Sequence, residues 1–147
     1  MRKQSTNAAR VQVGGRRGAA AVEFALTAPI LFLFLFAALE LGRMNMIRQT
    51  ANNAAYEAVR TCAVPGATNA EGVAKATYIL ESIGVANYTV TVTPATILDN
   101  TTSVTANVVV PYSTNMWVAP LFSASGSANA FCTMARDWVV STRLSSE

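Results

Sequence analysis

Residues 19–39 read AAAVEFALTAPILFLFLFAAL, and their reading decides the fold. The stretch holds 21 residues and a single charge, Glu23. At ~1.5 Å per residue a helix of that length reaches ~30 Å, the thickness of a bilayer core. Ile30–Phe36 is apolar on every side, so it offers no amphipathic stripe. A soluble helix of this kind has to be wholly buried, which a chain of 147 residues can hardly achieve. The stretch therefore predicts a transmembrane helix over residues 19–41. Pro29 sits inside it and predicts a kink near Ala25–Pro29, which membrane helices tolerate when neighbours satisfy the freed carbonyl. A secretory signal also pairs a basic start with an apolar core. Here the core is longer than usual for one, and Ala37-Ala38-Leu39 before Glu40 is an indifferent signal-peptidase site.

Charge divides the chain at the same place. Arg2, Lys3, Arg10, Arg16 and Arg17 fall in residues 1–18, which contain no acid. Residues 19–147 carry six basic and eight acidic side chains, so the overall +3 conceals a slightly acidic protein behind a basic tag. Nucleic-acid binding needs a basic patch on the folded part, and no cluster follows residue 18. The positive-inside rule places residues 1–18 in the cytoplasm and the chain after ~41 outside; Arg43 and Arg48 weaken this bias without reversing it. There is no histidine, and the two cysteines, Cys62 and Cys132, lie far apart. Paired-cysteine metal motifs, zinc sites and histidine-dependent nucleophiles are excluded. No paired carboxylates or nucleophile–base arrangement stands out around Asp99 or Asp137, so neither an enzyme nor a cofactor is expected.

The boundary itself reads Arg16-Arg17-Gly18-Ala19-Ala20-Ala21-Val22-Glu23-Phe24. A glycine closes the basic leader, and Glu23 is the fifth residue after it. This resembles the processing site of type IV prepilins, where a membrane aspartyl peptidase cuts after glycine. Residues 16–43, RRGAAAVEFALTAPILFLFLFAALELGR, resemble the N-terminus of the TadE-like family. Those proteins are minor pilins or pseudopilins of the tight-adherence (Flp-type) type IV pilus. The resemblance covers residues ~16–60; the remainder agrees only in layout. Phe24 departs from the major Flp pilins, which carry tyrosine there, and the chain is about twice their length, which favours a minor component. The resemblance implies cleavage between Gly18 and Ala19 by a prepilin peptidase, and an assembly role for the Glu23 carboxylate. It also implies other pilins and inner-membrane pilus assembly proteins as partners, besides membrane lipid. Location would be the inner membrane, single-pass, with possible passage into the pilus. A single-span envelope protein with a ligand- or partner-binding head, unrelated to pili, is the alternative.

The chemistry of such a cut follows from the residues. Glycine lets backbone approach a protease closely. Loss of the leader removes five positive charges that hold the helix at the cytoplasmic face. A charge within the span costs ~2.5–3.5 kcal/mol on insertion scales, so Glu23 needs a partner or a function. The amine freed at Ala19 is a suitable partner.

Beyond the span, Leu41, Met44, Ile47, Ala51, Ala54, Ala55 and Ala58 recur at spacings of three or four. One helix is therefore expected from ~20 to ~61, its outer part (42–62) packed on a head formed by residues 63–147. Pro65-Gly66 marks the turn. Residues 70–83 predict a second helix with Val73, Ala76, Tyr78, Ile79 and Ile83 inward and Gly84 as its stop. Tyr88, Val90 and Val92 alternate with threonines, as do Val104, Ala106, Val108 and Val110 with polar residues, and Ala128, Ala130, Cys132 and Met134 follow the same rule. The expected fold is α+β: a long N-terminal transmembrane helix continuing into a small head with a second helix and a three-stranded antiparallel sheet. Trp117 and Phe122 are read as an apolar plug, with core packing for at least one of Trp117 and Trp138. Outside the cytoplasm Cys62 and Cys132 could oxidise to a disulfide closing a loop of ~70 residues.

Overall fold

The computed structural model describes residues 14–98, 100–117 and 125–136. Leader residues 1–13, Asp99, Phe122, Asp137 and Trp138 lie outside the described residues. The elements are α1 (Gly14–Ala63), α2 (Asn69–Ser82), β1 (Thr89–Thr93), β2 (Ser103–Pro111) and β3 (Ser127–Ala135), an α+β arrangement as expected. Two compact units divide the chain, Met1–Phe36 and Ala37–Glu147.

In the first unit α1 is helical through Pro29. Val22, Phe24, Leu26 and every residue from Ile30 to Phe36 are exposed, with Phe32 and Phe36 stacked at 6.4 Å between ring centroids. Thr27 Oγ1 donates to the carbonyl of Glu23 at 3.0 Å, so the hydroxyl in this apolar stretch is satisfied by its own helix. The helix is long and apolar enough to cross a membrane, and none of its apolar window is buried among the described residues. An uncovered belt of phenylalanine and leucine is unfavourable in water and at home among lipid chains.

The second unit has one core. Ile47, Ala51, Ala54, Ala55, Ala58, Val59 and Cys62 of α1 are buried in it with Ala76 and Leu80 of α2 and the inner face of the sheet. The sheet runs β1-β2-β3, antiparallel throughout, with β2 central. Alternation places Val104, Ala106, Val108 and Val110 fully inside, while their neighbours on β2 turn outward. Thr105 and Thr133, opposite one another, join hydroxyls at 2.8 Å on the outer face. The hydrophobic stripe of α1 is built mostly of alanine, which lets the neighbouring elements come close to its backbone.

The entry to α2 is fixed by a capping box. Thr68 Oγ1 accepts from the Glu71 amide, and the Glu71 carboxylate accepts from the Thr68 amide. The exit uses Gly84 at φ 68°, with its amide donating to the Glu81 carbonyl at 2.9 Å. Gly72 is where the two helices touch: a β-carbon there would collide with Cys62 Sγ and lie 2.9 Å from the Ala58 carbonyl oxygen. Gly72→Ala is expected to destabilise this unit by about 1–3 kcal/mol, since the obstacle is backbone as well as side chain. Urea titration of the detergent-solubilised protein measures it, and an unchanged midpoint would show that the helices can part freely.

Three inward assignments are corrected. Leu41 is 58% exposed, because the buried stripe passes through Arg43 and Ile47 on the opposite side of the helix. Tyr78 is 70% exposed under the Lys75 ammonium, and Gly72 and Leu80 take its place on the buried side of α2. Trp117 is 68% exposed and plugs nothing. The helix also begins earlier than position 20, so Gly18 lies within α1 rather than before it.

Candidate functional site

Gly18 and Ala19 are exposed on α1, and a β-carbon at Gly18 would meet no atom within 4 Å. Packing inside this chain therefore gives no reason for a glycine there. Glycine also weakens the helix locally, by roughly 0.5–1 kcal/mol relative to alanine, which eases opening of the backbone. Glu23 is exposed, and no ion pair to it is found among the described residues. Ala19 and Glu23 stand four residues apart on one continuous helix, hence on one face. An amine at Ala19 would be within reach of that carboxylate. Pro29 is exposed in mid-helix, and its missing N–H frees the carbonyl of Ala25.

The apolar run ends in a polar node that sequence reasoning missed. Arg43 is 3% exposed and Glu40 6%, both within the second unit. Arg43 Nε donates to the Asn115 carbonyl at 3.0 Å, and Nη1 donates to the Ile83 carbonyl at 3.2 Å. Ile83 caps the C-terminus of α2, where carbonyls lack helical partners and the helix dipole favours a cation. Burial pulls the Arg43 pKa below its ordinary value. Asn115, itself buried, holds the far side. Its Nδ2 donates to the carbonyls of Ala86 and Pro111, each at 2.8 Å, and its Oδ1 accepts from the Ala86 amide at 2.7 Å. One arginine and one asparagine thus tie α1, the end of α2 and the segment after β2 together. Trp117 lies over the guanidinium, 4.8 Å from ring centroid to Cζ. The cleft that Trp117 forms with Leu39, Glu40, Arg43 and Met116 is about 30 Å³, the room of one water rather than of a substrate. A signal was available: Arg43 continues the four-residue spacing of Ile47 and Ala51, which puts it on the core stripe.

Cys62 and Cys132, read together as a disulfide, stand as two free thiols. Cys62 is enclosed between α1 and Gly72, with Sγ donating to the Thr68 carbonyl at 3.6 Å. Burial pushes its pKa up, so it holds little of the thiolate that oxidation requires. Cys132 is half-buried opposite Ala106 in the sheet. Among the described residues no group of three or more potential metal ligands exists.

No curated protein and no solved structure matches the chain. The model of the TadE-like protein family matches residues 18–60. The matched segment runs from Gly18 through Glu23, Pro29, Glu40 and Arg43 to the outer turns of α1. TadE-like proteins are a pilus-associated structural family. Over residues 18–60 the chain is similar to the TadE-like proteins of the Tad pilus system.

Proposed function

We propose that the protein is a minor pilin or pseudopilin that acts in assembly of a tight-adherence type IV pilus, without catalytic activity of its own. It sits in the inner membrane as a single-pass protein, basic leader in the cytoplasm and α+β head outside. A prepilin peptidase cuts it between Gly18 and Ala19. The observation that carries this reading is the coincidence, within the TadE-like segment, of an exposed glycine with no packing duty, a glutamate five residues later and an uncovered apolar helix behind them. Cutting removes five positive charges. Withdrawal of the helix from the bilayer into an assembly then no longer drags those charges through hydrocarbon. The new Ala19 amine neutralises Glu23, on the same helix or on a neighbouring pilin.

A strain lacking the protein is expected to lose its attachment fibres. Wild-type protein restores them, and Glu23→Ala does not. Full restoration by Glu23→Ala would rule out the amine–carboxylate pair, and normal fibres in the deletion strain would rule out the pilus role.

A further inference from the structure

We infer that Met116-Trp117 is a membrane-interface anchor, which sits at the lipid headgroups beside Leu39 at the end of the apolar run. The inference rests on the reading that α1 crosses a membrane. Leu39 closes the apolar run, and within the same compact unit it shares a cleft with Met116 and Trp117. Leu39, Met46 and Trp117 are all exposed, so three large apolar side chains of this unit face outward where Leu39 and Trp117 share their cleft. Trp117 is the extreme case at 68% exposed. Tryptophan with an apolar ring and a single N–H donor is the side chain enriched at the level of the headgroups.

The presentation is rigid rather than accidental. Asn115, two residues before, is buried and fixed by hydrogen bonds to Ala86 and Pro111. Arg43 lies under the indole and is itself anchored to the Asn115 and Ile83 carbonyls. A buried cation beneath an exposed indole is stabilised further when lipid displaces water from the ring, since cation–π attraction grows with desolvation. The occupant that fits is the interfacial layer of a phospholipid bilayer. It is the one surface that must already lie beside Leu39 once the preceding run is in the membrane.

The test uses full-length protein in phosphatidylcholine vesicles, with Trp138→Phe leaving Trp117 as the only tryptophan. Nitroxides are placed either on the headgroup or deep on the acyl chain. The expected result is a blue-shifted emission, strong loss of intensity with the headgroup label, weaker loss with the deep label and little loss with aqueous iodide. Quenching by iodide with no effect of either nitroxide overturns the inference, as does stronger quenching by the deep label. Should Trp138→Phe not fold, the difference in quenching between wild type and Trp117→Phe reads the same quantity. Flotation of the protein with the vesicles reports the span separately, so co-floating protein with an unquenched Trp117 sinks this inference alone.

Discussion

Arg43→Ala is expected to lower the stability of the Ala37–Glu147 unit by about 2–4 kcal/mol, the cost of leaving one buried and one partly buried carbonyl without their donor. Asn115 and Ile83 lose their shared partner, and the Asn115 carbonyl, whose bond to Arg43 is buried, carries the larger part of the cost. The indole of Trp117 loses the cation beneath it as well. Arg43→Lys should recover part of the loss, because an ammonium can reach one carbonyl well but lacks the planar fork that serves two. Denaturant titration in detergent micelles, followed by near-ultraviolet circular dichroism, is the measurement. A change below about 1 kcal/mol would place Arg43 with ordinary surface charges and remove the node from the account.

The second large effect is at the start of the matched segment. Gly18→Val is expected to abolish removal of the leader while leaving the fold intact. The separation is clean because no atom lies within 4 Å of the position a side chain would take. A failure to be processed therefore reports on the protease and not on folding. Co-expression with a prepilin peptidase and comparison of gel mobility reads it. Gly18→Val cut as efficiently as wild type would show that the enzyme does not need bare backbone there. Arg43 and Gly18 thus give opposite signatures, one structural and one of recognition.

The patterns that repeat were legible from sequence. The strict alternation of Val104, Ala106, Val108 and Val110 needs no partner to be seen, and the structure buries all four. The alanine stripe of α1 and the turn at Gly84 were likewise read from spacing and from glycine chemistry. The misses share a cause: each depends on what lies opposite in space. Tyr78 fits a helical face by count, but Gly72 and Leu80 define the buried side because α2 meets α1 at Cys62. Trp117 looked like core material because of its size, yet the core is closed without it. Arg43 looked like a membrane-flanking charge. Its burial is set by Asn115, a residue 72 positions away with no periodic signal of its own. At the candidate site, glycine, glutamate and proline were visible as a spacing, whereas the node that locks the head onto the outer part of α1 was not.

The account stands on the leader being severed at residue 18 to release an oily helix. Intact mass spectrometry of the protein purified from its native membranes tests this most directly. A mature chain beginning at Ala19, lighter by residues 1–18, is the predicted result. A chain that keeps Arg16 and Arg17 in cells with working attachment fibres would contradict it.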